Sequence, residues 1–416
     1  MFLDPPATEP LFQNLRSLSC ECTEKAMPLL RLPLPSLVHI HLWLKHPRGP
    51  PNPLESFSSF SPDIRTIFVG RHGPDSFTEI EPNALSRWQN LSCVAYYSVA
   101  LNMVDLAHLS RIPTLTRLEC ALRVTWPASD SPLDFTKLQI LGLHSHSLET
   151  ISQLLSQIRL PVITSLQARI EDRPSSQVLA SFLAGVSTSN SGDTVEILRL
   201  DQWHRFNGDA LREAASPDFE GLQPYMKFRN LRKMKLNVTC DVALADSGLL
   251  ALASAWPMLE CFDVNAEWGW NTTGGITPGG LTQLLQTCPS LTEITVCLDT
   301  RGYTEVPPSH VLKNLGLTLS PELWINVVNS AIEVECLPAV AAFFCALATC
   351  FNTRFCFLAW SCYPFLDPPD VYEKRWLWVE RQIHDALCRH GKSGDGDGES
   401  VNEYSDQDGE DEESED

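Results

Sequence analysis

Leu138-Gln139-Ile140-Leu141-Gly142-Leu143, followed by Leu148-Glu149-Thr150-Ile151-Ser152-Gln153-Leu154-Leu155, is the stretch on which the fold turns. In the first run an apolar anchor is followed by apolar residues three and five positions on. Leu141 and Leu143 then share one side of a short strand, because side chains alternate along extended backbone. In the second run Leu148, Ile151, Leu154, Leu155 and then Ile158 follow the i, i+3, i+4 spacing of an amphipathic helix. Strand and helix together make one unit.

The anchor pattern recurs along nearly the whole chain, at Leu15/Leu18/Cys20, Leu37/Ile40/Leu42, Ile64/Ile67/Val69, Leu91/Val94/Tyr96, Leu115/Leu118/Cys120, Ile163/Leu166/Ala168, Val195/Leu198/Leu200, Leu231/Met234/Leu236, Leu259/Phe262/Val264, Leu291/Ile294/Val296 and Leu312/Leu315/Leu317. The mean spacing of 27 residues lies within the roughly 20–29 residues of a leucine-rich repeat. Helical return paths are expected where Leu101, Val104, Leu106 and Leu109 share a face, and again at Val178/Phe182/Val186, Leu249/Leu252/Trp256 and Leu281/Leu284/Leu285. Pro257 and Pro289 stop two of them before the next strand. Arg205 to Lys227 and Gly269 to Gly280, rich in turn residues, are expected as loops.

A strand–helix unit has an apolar face it cannot bury alone, and stacking units buries it. The expectation is an α/β fold: a leucine-rich-repeat-like solenoid, a horseshoe with a parallel concave sheet and helices on the convex side, about 12 repeats over residues 1–368. Residues 369–391 are expected as a C-terminal amphipathic capping helix with Tyr372, Trp376, Val379, Ile383 and Leu387 on one stripe. A partner-binding helix is the alternative. Residues 392–416 have the Gly, Asp, Glu and Ser composition of a disordered acidic tail.

Of 51 acidic residues, 12 lie in residues 394–416, which hold no basic one; the rest of the chain has 39 acidic against 31 basic residues, a net charge of −8. Neither part has the basic excess that phosphate neutralisation needs, so no nucleic-acid partner is expected. The apolar run Cys336 to Phe351 is shorter than the roughly 20 residues of a bilayer crossing and contains Pro338. It reads as a buried helix, with no membrane partner. The 14 cysteines form no CxxC pair and stand where small hydrophobes belong. Without a basic and then apolar leader, the chain is expected to be intracellular, cytoplasmic or nuclear, and its sequons at Asn90, Asn237 and Asn271 carry no weight.

Ala255 to Glu260 (AWPMLE), Gly269-Trp270, Ile276 to Leu291 (ITPGGLTQLLQTCPSL), Leu337 to Leu347 (LPAVAAFFCAL), Ala359-Trp360 and Arg375 to Glu380 (RWLWVE) carry a likeness to a known family. The chain resembles the C-terminal half of basidiomycete fungal F-box proteins with degenerate leucine-rich repeats. The pattern spans residues 11 to 390 and is most specific from about 246 to 380. The resemblance implies a substrate-recognition adaptor: an F-box docks on the Skp-type subunit of a cullin-RING ubiquitin ligase, and the solenoid selects the protein to be ubiquitinated. No F-box pattern precedes the first repeat, so Skp-type docking is expected only if an F-box lies upstream. The alternative is a leucine-rich-repeat scaffold unrelated to ubiquitin.

Catalytic and cofactor signatures are sparse. Gly391-Lys392-Ser393 lacks the earlier glycine of a phosphate-binding loop, since Ala386 stands there, and Ser400 occupies the glycine position of the calcium-loop-like run from Asp395. The His39/His41, His144/His146 and Cys20/Cys22 pairs have no third ligand at a zinc spacing. A non-catalytic module with no cofactor and no metal is expected, binding a protein on the concave face. The residues beside the two inward positions of each strand are the candidates: His39, His41, Trp43, Phe68, Tyr97, Arg117, Glu119, His144, Arg169, Arg199, Asp201, Lys233, Lys235 and Asp263. In the tail, Ser400, Ser405 and Ser414 sit before acidic residues and are candidate phosphorylation sites.

Overall fold

The computed structural model describes residues 12–22, 32–44, 61–71, 78–79, 85, 87–122, 132–190, 192–203, 222–239, 242–267, 269–270, 275–305, 322–328, 330–350, 355–358 and 371–391. Among them, thirteen strands lie side by side in chain order, every neighbouring pair parallel. They are β1 (Ser17–Cys22), β2 (His39–Leu44), β3 (Thr66–Arg71), β4 (Cys93–Leu101), β5 (Arg117–Leu122), β6 (Ile140–Ser145), β7 (Ser165–Ile170), β8 (Ile197–Gln202), β9 (Lys233–Asn237), β10 (Cys261–Val264), β11 (Glu293–Thr295), β12 (Leu323–Asn326) and β13 (Phe355–Leu358). The helices are α1 (Met103–Ser110), α2 (Leu148–Leu155), α3 (Ser176–Ser189), α4 (Asp246–Ala255), α5 (Pro278–Thr287), α6 (Leu337–Cys350) and α7 (Val371–Gly391). A strand of each unit followed by its return path, repeated in order, is a leucine-rich-repeat-like solenoid.

Register explains the core. Leu118, Leu141, Leu166, Leu198, Met234, Phe262 and Ile294 pair in succession across seven strands. Two positions on, Cys120, Leu143, Ala168, Leu200 and Leu236 do the same. Both rows are buried and share one apolar core with helix residues such as Leu154, Phe182, Leu252 and Leu284. Fully burying one such side chain stabilises the fold by about 1.5–3 kcal/mol. A parallel sheet lined this way on one side leaves alternate residues on the opposite, open face.

Eight of the thirteen strands are led in by a four-residue turn that closes on the anchor. In Leu34-Pro35-Ser36-Leu37, Ile112-Pro113-Thr114-Leu115, Leu160-Pro161-Val162-Ile163, Trp256-Pro257-Met258-Leu259 and Cys288-Pro289-Ser290-Leu291, the anchor N–H donates to the carbonyl three residues back, at 3.1 to 3.4 Å. Proline suits the second position because its φ is preset and no N–H is needed there. Pro257 and Pro289 therefore build the turn as well as stopping the helix. Neighbouring units are also joined by fully buried indoles. Trp88 Nε1 donates to Ser61 O at 3.0 Å, Trp256 Nε1 to Tyr225 O at 3.1 Å and Trp376 Nε1 to Ser330 O at 2.8 Å.

Several elements depart from the sequence reading. Helix α1 starts two residues late, because Asn102 caps it in a reciprocal box with Asp105. Leu101 stays in β4, Leu106 and Leu109 turn inward, and Val104 is exposed. The stretch Gly269 to Gly280 is only partly a loop: Trp270 and Ile276 are fully buried, and α5 begins at Pro278 with Thr277 as its cap. Asp246 at the start of α4 accepts hydrogen bonds from the Thr277 amide and hydroxyl at 2.8 and 2.7 Å, tying two helix starts together. Within Arg205 to Lys227, the run Gln223–Lys227 is a 3₁₀ helix that buries Tyr225. The Leu312/Leu315/Leu317 repeat lies outside the described residues. The strand beside β11 is instead β12, with Leu323, Ile325 and Val327 buried, and β13 follows with no anchor pattern at all.

Helix α7 lies against α6. Trp376, Val379 and Ile383 are buried, with Tyr372 and Leu387 packed beside them. Arg375 donates to Ile332 O at 2.6 Å and Cys345 Sγ to Gln382 O at 3.4 Å. Helix α6 buries Ala339, Val340, Ala341, Phe343, Phe344, Leu347 and Ala348, while Pro338 in its first turn is exposed. No helix among the described residues is long and apolar enough to cross a membrane. The acidic tail with Ser400, Ser405 and Ser414 lies outside the described residues.

Candidate functional site on the open face

The fourteen candidate residues all lie on the open face, in three rows set by the strand registers. His39, Arg117 and Lys233 stand in the first row, before the inward pair. His41, Phe68, Glu119, Arg199, Lys235 and Asp263 stand between the inward positions. Trp43, Tyr97, His144, Arg169 and Asp201 stand after them. What these residues form differs along the sheet.

From β2 to β6 the face is a run of touching rings. Phe68 stacks on His41 at a centroid distance of 5.5 Å and meets Trp43 at 5.1 Å and Tyr97 at 5.2 Å. Tyr97 in turn meets His144 edge to face at 5.5 Å. Offset and edge-to-face contacts at such distances contribute roughly 0.5–1.5 kcal/mol each beyond burial. Small residues make the run continuous. Gly70 pairs with Trp43, and a Cβ on it would lie 2.6 Å from the Trp43 ring. Phe68 pairs with Ala95, and Ala121, fully buried, pairs with His144. Strand β4 bulges between Tyr96 and Ala100, which sets Tyr97 at the irregularity. Burial, with a hydrogen bond to Glu119, pushes the Tyr97 phenol up to about 12. Burial, aided by Arg169, pulls His144 down to about 4, so this ring is neutral near pH 7.

From β5 onward charge takes over. Glu119 pairs with Arg117, Asp201 with Arg199 and Glu260 with Arg232. Lys235 Nζ reaches Glu293 Oε1 at 2.8 Å and Asp263 Oδ2 at 3.6 Å. The two carboxyls respond in opposite ways. Burial outweighs Lys235 at Asp263 and raises its pKa, whereas at Glu293 burial is overcome by hydrogen bonds from Lys235 and the Cys261 thiol, which hold the carboxyl low. Cys120 and Cys288 are pushed up to about 12 by burial and stay protonated, which makes them poor nucleophiles.

Two hollows open on the charged part. One, of about 400 Å³, is lined by Asp263, Glu293, Thr295, Glu322, Asn326 and the half-exposed Trp324. The other, of about 180 Å³, lies between β7 and β9, where Arg169, Arg199, Asp201, Gln202, Trp203, Asn237 and Glu267 meet. The Arg169 guanidinium sits 5.5 Å from the centre of the Trp203 ring. Trp203, Gln202, Asn237, Glu267, Glu293 and Trp324 are not candidates by the repeat pattern; Trp203 and Glu267 follow their strands instead of lying within them. Among the described residues no group of three or more His, Cys, Asp or Glu side chains converges as metal ligands.

No protein-family model matches the chain, and no curated protein does. Among solved structures the chain is similar to an internalin (inlF) from Listeria monocytogenes, at 14% identity and a TM-score of 0.39, covering 85% of this chain and 83% of that one. It is similar to the TLR13–ssRNA13 complex at 14% identity and a TM-score of 0.34, covering 78% of this chain and 46% of that chain, less than half of its length.

Proposed function

We propose that the chain is a non-catalytic protein-recognition module that takes its partner on the open face of the sheet, as the substrate-binding part of an F-box ubiquitin-ligase adaptor does. The observation that carries this is the ring run Trp43, His41, Phe68, Tyr97 and His144. Five aromatic side chains, linked ring to ring, stand on the open face of the sheet. Rigid aromatic anchors contribute much contact area at little cost in side-chain entropy, which is why they dominate protein interfaces. Near-neutral His144 and the paired charges beside the run suit a surface whose partner is selected by shape as well as charge.

The test is capture of partners from the native organism by the immobilised chain. Tyr97→Ala is expected to reduce capture about tenfold or more, the range of an interface anchor, while Met258→Ala, an exposed turn residue far from the ring run in sequence, leaves it unchanged. Equal capture by both variants would overturn the assignment to this face. The ligase role is separable from it. Co-purification with a Skp-type subunit is expected for a chain extended upstream by an F-box and not for residues 1–416 alone.

A further inference from the structure

The larger hollow opens over β10, β11 and β12, and the recognition reading alone gives it no occupant. Its walls come from one side of the sheet. Cys261 pairs with Glu293 and Glu293 with Trp324; two residues on, Asp263 pairs with Thr295 and Thr295 with Asn326. These positions alternate with the buried Phe262, Ile294, Leu323 and Ile325, so all of them lie on the open face. Glu322, two residues before Trp324, lines the same hollow and is exposed.

Two of these side chains are accessible. Trp324 keeps 47% of its surface exposed and the Glu293 side chain 43%. Their positions are paired on neighbouring strands, which sets an indole directly beside a carboxylate. The charge around them is one-sided. Asp263, Glu293 and Glu322 line the hollow, and no Lys or Arg lines it among the described residues. Lys235, from β9, is shared by Asp263 and Glu293 and offsets one of those two charges. Glu293 accepts from Lys235 at one oxygen and from the Cys261 thiol at the other. A carboxylate has about four acceptor positions, so both oxygens can accept again. The three carboxylates do not gather as metal ligands; set around an indole, they suit a broader cation.

We propose that this hollow receives an arginine side chain of the partner polypeptide, its guanidinium stacked on Trp324 and hydrogen-bonded to Glu293. The proposal rests on the protein-recognition reading and specifies one feature of the partner. A hollow of about 400 Å³ has room for the whole side chain. Guanidinium is planar and weakly hydrated, so it can lie on a ring while its N–H edge meets a carboxylate. An ammonium is a compact, strongly hydrated point charge and gains less from the ring. The chain makes the same stacking for itself at the other hollow, where Arg169 lies 5.5 Å from the centre of the Trp203 ring. Over Trp324 no Lys or Arg lies among the described residues.

A phage-displayed library of random dodecapeptides, selected on the full chain, supplies the probe. Enriched peptides are expected to carry an Arg whose change to Ala weakens binding about tenfold, the range of an interface anchor. Trp324→Ala and Glu293→Gln are each expected to weaken the parent peptide by a similar factor. Either one combined with the peptide change should weaken it by little more than one change alone, the sign of a direct contact. Unchanged thermal unfolding of Trp324→Ala separates this from misfolding. Glu149→Gln, which removes an exposed carboxylate on α2, leaves binding unchanged. An equal loss on Glu149→Gln would mean general attraction of a basic peptide to an acidic chain and would overturn the site, and full affinity after Arg→Lys in the peptide would overturn its guanidinium. Peptides indifferent to Trp324→Ala and Glu293→Gln but lost on Tyr97→Ala overturn the arginine site and leave the recognition reading standing. Peptides indifferent to all three substitutions, or no enrichment, overturn the two together.

Discussion

The open face is one sheet with two kinds of surface. Between β2 and β6 its side chains hold one another through ring contacts over small residues; between β8 and β12 they hold one another through charge. Both are built on the same buried, apolar inward rows, so the difference is confined to positions that the core does not constrain. A repeat thus fixes a scaffold while leaving its outward positions free to be specialised along the length. The two surfaces should respond to different perturbations.

Gly70→Val is expected to have the largest effect, and only on the ring run. The first added carbon would lie 2.6 Å from Trp43 Cζ3 and 3.0 Å from Phe68 Cε1, so both rings must move or the strands must part. Overpacking of this kind costs about 1–3 kcal/mol, read as a lower urea midpoint that does not change between low and high salt. Lys235→Met addresses the other surface. It leaves the Asp263 and Glu293 carboxylates facing each other without their shared cation, an expected loss of about 1–2 kcal/mol, largest at low salt and reduced at molar salt. If the two variants show the same salt dependence, the contrast between the surfaces fails.

The smallest effect separates two histidines two residues apart. His144 belongs to the ring run, and its folded pKa of about 4 lies below the ordinary value of 6.5. Between those values the unfolded chain takes up a proton that the folded chain refuses, so stability falls as pH drops from about 6.5 toward 4. His146 Nδ1 meets Glu171 Oε2 and its Nε2 meets Asp172 Oδ1, both at 3.0 Å. The hydrogen bond to Glu171 leads in raising its pKa, against partial burial. Its contribution is complete below about 6.5 and is lost as pH rises through the raised value. His144→Gln should flatten the acid limb of a melting-temperature profile and His146→Gln the limb above 6.5. Exchange of those two outcomes would show that the rings, not the carboxylates, hold His146.

Much of the scaffold was legible because burial follows a simple period. Eleven anchors, from Leu15 to Leu291, lead to strands at the expected places, since the two inward positions after each anchor face the core and are filled by apolar residues. The rule failed where a unit met the core in another way. In β12 the inward set Leu323, Ile325 and Val327 has no apolar anchor three residues ahead, and no anchor pattern leads into β13. Helix α1 was placed two residues early because the pull of Asn102 and Asp105 toward a cap is local hydrogen bonding, invisible to apolar spacing. The open face was legible as a set of residues and not as an arrangement. That Phe68 would meet both Trp43 and Tyr97 depends on Gly70 and Ala95 being small at matching registers, and register between units passes through return paths of unequal length. The hollow beside Trp203 was missed altogether. Gln202 lies at an inward position where the pattern expects a hydrophobe, and its meaning depends on a hydrogen bond to Thr239, 37 residues away.

The three buried indoles make the joints between units unequal. A solenoid opens by parting one unit from the next, and each joint has its own strength. Where Trp88 reaches Ser61, Trp256 reaches Tyr225 and Trp376 reaches Ser330, a large apolar ring and a hydrogen bond must be given up in the same step as the strand ladder. Unravelling from either end would therefore pause at those three places, dividing the stack into blocks that open and close as wholes. The larger charged hollow falls between the second and third staples, whereas the ring run straddles the first, with Phe68 on one side of that joint and Tyr97 on the other, so that the hollow can loosen while the rings keep their shape.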